Sequence, residues 1–203
     1  MMERRTAVKA LALAAGASLV SKATGRGAQT QAETAMNPEA FPFADDGTFP
    51  NGGKYPLVVY RQVLSGTGPA STVEERFAAN GWTNSWRNGV YPFHHYHSTS
   101  HEVLGVYAGS ALLTLGGPKV GQQFQVAAGD VLVIPAGLAH QCIRAAADFG
   151  VVGAYPDGRH WDLLRGQPGD RPQADHNIAG LPLPTRDPVT GESGKLRQLW
   201  TAA

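Results

Sequence analysis

Residues 89–109 read GVYPFHHYHSTSHEVLGVYAG. Alternate side chains of an extended strand point to opposite faces, so His95 and His97 share one face and their imidazoles are placed to grip one ion. A short turn followed by a second strand would bring Glu102 to the same point. A second stretch, GDVLVIPAGLAHQC at 129–142, has the same logic. Gly129 starts a strand, Pro135 and Gly137 shape a tight turn, and His140 opens the return strand as a fourth donor. A lone strand histidine is usually structural. Four nitrogen and oxygen donors at these two spacings suit a mononuclear transition-metal site.

The same residues carry a family resemblance. Gly89, His95, His97, Glu102 and Gly109 have the spacing Gly, five residues, His-any-His, four residues, Glu, six residues, Gly. Gly129, Pro135, Gly137 and His140 follow Gly, five residues, Pro-any-Gly, two residues, His. Both resemble the paired motifs of the cupin superfamily, with one departure: Arg144 stands where the second motif ends in Asn. The resemblance covers roughly residues 87 to 156 and is similar to small bacterial single-domain cupins. It implies an all-β fold, a single cupin barrel built as a jelly-roll-like antiparallel sandwich. It also implies His95, His97, Glu102 and His140 as ligands of one divalent metal.

Three neutral imidazoles and one carboxylate lower a divalent ion's charge by only one, so the ion stays a Lewis acid. On a six-coordinate ion they leave two positions for exchangeable ligands. The donor set suits Fe, Mn, Ni, Co or Zn without choosing among them, and argues against Ca and Mg. His101 rivals Glu102, because a one-residue slip in the turn would present it instead. Strand alternation puts Tyr91 and Phe93 on the face of His95, and Cys142 and Arg144 on the face of His140. These four are the candidate pocket-lining residues. Cys142 reads either as a small buried apolar residue or as a thiol lining the pocket. Arg144 reads either as a surface ion-pair partner or as a guanidinium suited to a carboxylate or phosphate. No general base is assignable beside the ligands, so no catalytic residue is named.

Working outward, 203 residues suffice for one domain plus a processed segment. The 25 Gly and 14 Pro, set against few helical runs, favour short strands joined by turns. Arg4, Arg5, Lys9, Lys22 and Arg26 against Glu3 put +4 into the first 32 residues, so the rest carries −3 of the total +1. That balance leaves no basic face for nucleic acid. Cys142 is the sole cysteine, which excludes an intramolecular disulfide.

The first 20 residues join a basic start to the small apolar run Ala10–Val20, too short to span a bilayer and suited to a signal-peptide core. Arg4 and Arg5 followed by Lys9 resemble a twin-arginine export signal, from which Glu3, Ala7 and Val8 depart. The reading is a signal peptide over 1–32, cleaved after Ala32, and a periplasmic or otherwise exported protein with no membrane attachment after cleavage.

Residues 33–70 read as an N-terminal arm and first strand (57–64), and 71–165 as helix and barrel. Residues 166–203 read as an irregular tail pinned by Trp200. Ser71-Thr72-Val73-Glu74 has the form of a capping box that opens one short helix ending before Gly81. Trp82 and Trp86 read either as covers over the barrel's open end or as a stacking wall for a ligand.

The expected function is an exported mononuclear metal-binding cupin, a metalloenzyme of oxygenase or oxidase type acting on a small oxygen-bearing molecule. The alternatives are a non-catalytic metal or small-ligand binding protein, or an isomerase, epimerase or decarboxylase. The expected partner is a small-molecule ligand or substrate, with a homodimer left open.

Overall fold

Runs rich in β-branched and apolar residues, LVVY at 57–60, VLVI at 131–134 and GVVGAYP at 150–156, are buried along their whole length. A strand without polar alternation needs cover on both faces. The structure, a computed structural model describing residues 37–64 and 68–202, supplies that cover from two different layers. The signal-peptide reading over 1–32 lies outside the described residues. No described helix is long and apolar enough to cross a membrane.

The strands are β1 (Glu39–Phe41), β2 (Leu57–Tyr60), β3 (Trp82–Asn88), β4 (Glu102–Ala108), β5 (Ser110–Leu115), β6 (Gln122–Ala127), β7 (Val131–Ile134), β8 (His140–Ala145) and β9 (Gly150–Pro156). The helices are α1 (Ala70–Ala79), α2 (Gly117–Val120), α3 (Gln173–Ala179) and α4 (Leu196–Thr201). A six-stranded sheet of order β1-β2-β7-β4-β9-β3 faces a three-stranded sheet of order β6-β5-β8. Pairing is antiparallel throughout. The result is an all-β jelly-roll-like sandwich.

Inside it, Leu57, Val59, Leu104, Leu132 and Ile134 of the large sheet meet Ala111, Leu113 and Leu115 of the small one. On the outer face Val58, Tyr60, Val103, Val133 and Ala154 are covered by Val73 and Phe77 of α1 and by Leu196 and Trp200 of α4. Gly105 permits that contact: a Cβ there would stand 2.7 Å from Val73 and 2.8 Å from Phe77. The helix therefore lies directly on the sheet.

Three local expectations need correction. The capping box does not form, because α1 begins at Ala70 behind Pro69, with no side-chain cap, and Ser71 falls inside the first turn. Glu74 instead forms a two-bonded ion pair with Arg87 of β3 at 2.6 and 2.8 Å. The strand expected over 57–64 stops at Tyr60, four residues early, and is the second, because β1 forms within the stretch expected as an arm. The tail is also less irregular than its composition implies, since it carries α3 and α4. Buried Asp187 binds it down by accepting from the backbone N–H groups of Val189, Thr190 and Leu196 and from the Tyr60 hydroxyl.

Candidate metal centre

The first histidine motif does not lie in a regular strand. Residues 89–101 bend at Pro92–Phe93 and again at Ser98–Thr99, and form isolated bridges, His95 with His140 and Tyr96 with Leu164. The His95–His140 bridge is a reciprocal pair of backbone hydrogen bonds, 3.1 and 2.9 Å, and the Gly137 N–H donates to the His97 carbonyl at 2.8 Å. The two motifs are thereby fastened directly to each other at one end of the sandwich. His95, His97 and His140 are buried, and one nitrogen of each lies within 4.8 Å of the other two.

Each imidazole is oriented from behind. His95 Nδ1 meets the Phe93 carbonyl at 3.1 Å, His140 Nδ1 meets the Leu138 carbonyl at 3.1 Å, and His97 Nδ1 meets the Asp162 carbonyl. A carbonyl can only accept, so each Nδ1 carries the hydrogen and each Nε2 turns a lone pair inward. Burial pushes His95 down to about 2, with His140 adding to the effect, and burial also lowers His97. These two rings therefore stay neutral.

Glu102 opens β4 facing the same point. Its Oε2 lies 3.3 Å from His140 Nε2 and 3.6 Å from His97 Nε2, yet has no hydrogen-bond partner. Its Oε1 accepts from the Tyr155 hydroxyl at 3.0 Å, which in turn accepts from the Trp86 indole N–H at 2.7 Å. Because indole nitrogen only donates, it fixes the direction of this relay. The relay holds Oε1 and leaves Oε2 free. Burial by itself would raise the Glu102 carboxyl, but His97, His140 and Tyr155 outweigh it and bring it down to about 2. The ionised Oε2 thus meets the Nε2 atoms of His97 and His140 at 3.6 and 3.3 Å. With the rings neutral such an arrangement is repulsive unless a proton or a metal cation sits among the donors, and donors of this type fit a divalent transition ion.

His101 faces the other way. Its Nδ1 accepts from the Ala136 amide at 2.9 Å, and its ring packs 4.7 Å from Trp200 on the outer face of the large sheet. Alternation through the turn therefore presents Glu102 to the histidines, and not its neighbour.

A sequence model of the Cupin domain matches residues 87–149. The "Uncharacterized protein YjlB" of Bacillus subtilis (strain 168) is 42% identical over 158 residues, 78% of this chain and 93% of that one. The chain belongs to the cupin superfamily. Among solved structures, a vicilin of Solanum melongena is similar at 30% identity over 39% of this chain and 24% of its own, with a TM-score of 0.29. Oxalate decarboxylase of Bacillus subtilis, studied for its Mn(II) centres, is similar at 17% identity over 54% of this chain and 27% of its own, with a TM-score of 0.35.

In this cupin a cavity of about 230 Å³ opens onto the donors, with Trp86, Tyr91, Leu104, Tyr155 and Trp161 among its walls. Of the four residues expected to line it, Tyr91 does. Phe93 stacks on Tyr91 at 4.9 Å, with the Arg165 guanidinium 4.0 Å from its ring centre, and forms no part of the wall. Cys142 is half-buried against the inner apolar cluster, where burial raises its thiol. It also stands outside the cavity. Arg144 is exposed on the far side of the small sheet, and the expectation that it faces inward fails for a definable reason. Leu113 pairs with Cys142 and Leu112 with Arg144, so Ile143 is an extra residue that bulges β8 and turns Arg144 away from the face of His140.

Motif reading missed Tyr155, Trp161 and Asp162, whereas of the two tryptophans read as end covers or a ligand wall Trp86 lines the cavity and Trp82 does not. The Asp162 carboxylate accepts from the Ser98 and Thr99 amides at 2.6 and 3.2 Å, which clamps the turn between His97 and Glu102. Trp86 reaches the cavity through a second bulge: β3 pairs Thr83 with Tyr155 but Trp86 with Gly153. A Cβ on Gly153 would lie 2.2 Å from the indole, so only glycine lets the ring rest there.

Proposed function

We propose that this cupin is an exported mononuclear metalloenzyme, in which His95, His97, Glu102 and His140 hold one divalent transition ion (Fe, Mn, Ni, Co or Zn) against a small oxygen-bearing substrate. The observation that carries the reading is the unpartnered, ionised Glu102 Oε2 among inward-turned histidine Nε2 atoms. A bound ion would supply Lewis acidity and, as Fe or Mn, redox chemistry with dioxygen. The chain's own part is to orient. Three carbonyls hold the imidazole hydrogens outward, and Tyr155 limits Glu102 to one free oxygen. Trp86 and Leu104 give the cavity a dry wall.

The adjoining cavity favours an enzyme or ligand-binding role over a purely structural ion, because structural metal sites are closed. The Fe- or Mn-loaded protein is expected to consume dioxygen with a small acid, phenol or enol, and Glu102→Ala to remove that activity while the barrel stays folded. Tight binding of one unaltered compound, without oxygen uptake or product across a broad screen, would identify a binding protein instead.

Export rests on the basic start and short apolar run of residues 1–20. Arg4→Lys combined with Arg5→Lys should retain the protein inside the cell. Full export of that variant excludes the twin-arginine route.

A further inference from the structure

We infer that the cavity takes a flat, single-ring aromatic ligand with two adjacent oxygen atoms directed at the ion, a catechol-like diphenol and not a polyol or a dicarboxylate. This rests on the metal reading above. Size sets the first limit. A cavity of about 150 Å³ holds a benzene, so about 230 Å³ accommodates one substituted ring beside the donors.

The walls set the second limit. The polar atoms of the half-buried and buried walls are already committed, the Trp86 N–H to Tyr155, the Tyr155 hydroxyl to Glu102 and the histidine Nδ1 atoms to backbone carbonyls, which leaves polar groups of the exposed Asn88 and Tyr91 only at the outer edge. Arg87, the cationic side chain at the rim, is held by Glu74 through two bonds. A polyol would bring hydroxyl groups that the inner wall leaves unpaired, at a desolvation cost. A dicarboxylate would bring a second charge without a free guanidinium to meet it.

What the cavity does offer is ring surface. Trp86 lies over Gly153 on one side. Trp161, partly exposed at the mouth, stacks on Tyr155 at 5.9 Å and 28° and stands 5.0 Å from His97. Aromatic walls favour an aromatic guest beyond the area it buries. Four protein donors on a six-coordinate ion leave two positions, which matches two adjacent oxygens at one end of the ring.

The test uses the Zn(II)-loaded protein, which cannot oxidise the probe, with metal content measured before and after each titration. 4-Nitrocatechol is titrated against trans-cyclohexane-1,2-diol and oxalate. The catechol is expected to bind at least tenfold more tightly than either, with zinc retained. Trp161→Ala is expected to weaken it by about tenfold at unchanged zinc content, and Trp161→Phe to restore most of the loss. Equal or tighter binding of the diol or oxalate, no effect of Trp161→Ala, or zinc carried off with the catechol would overturn the inference alone. A wild-type protein that takes up no zinc would overturn the metal reading and this inference with it.

Discussion

Trp200→Ala should lower the free energy of unfolding by about 3–5 kcal/mol, the range for removing a large buried aromatic side chain. Trp200 is 1% exposed, its ring stacks on Tyr55 at 5.1 Å and 23°, and its Nε1–H donates to the Pro56 carbonyl at 2.9 Å. Truncation empties the contact between α4 and the large sheet and leaves that carbonyl without its donor. Trp200→Phe keeps most of the ring and loses mainly the hydrogen bond, so about 1–2 kcal/mol is expected. Urea unfolding measures both. A loss below about 1 kcal/mol for the alanine variant would show that the tail does not share the barrel's cooperative unit. The ring also backs His101, next to Glu102, so loosening the tail should loosen the start of β4.

The second large effect concerns the carboxylate. Tyr155→Phe removes the donor to Glu102 Oε1 and strands the Trp86 N–H, while leaving the ring in the cavity wall. Loss of such an outer partner typically costs about 10–100-fold in metal affinity. Competition against a chromophoric chelator should register that drop with the circular dichroism unchanged. Unaltered affinity would mean that the relay does not position the ligand.

The paired spacings are legible because they depend on local rules. Strand alternation makes His95 and His97 neighbours, and Pro135 and Gly137 mark the turn ahead of His140. The buried runs at 57–60, 131–134 and 150–156 likewise announce strands of a sandwich. What the chain hides comes from pairing at long range. Trp86 and Tyr155 meet only because β3 lies beside β9, and the bulge that seats Trp86 over Gly153 has no local signature beyond the glycine itself. Arg144 was misplaced by alternation because one inserted residue, Ile143, breaks it. The capping box at Ser71 failed because Pro69 starts the helix early and Glu74 finds Arg87 on a strand. Proline and glycine content concealed the tail's order, which comes from Asp187 gathering nearby amides and the distant Tyr60 hydroxyl, and from Trp200 binding the Pro56 carbonyl.

The most direct test of the metal centre is equilibrium dialysis of the purified protein against Co(II) or Zn(II), with bound metal counted per chain. One ion per chain is expected for the wild type. His140→Ala, which removes the donor tying the second motif to the first, should retain less than about a tenth of it under the same conditions, since an open three-donor site binds far more weakly. No bound metal in the wild type, or equal retention by the folded His140→Ala variant, would contradict the account.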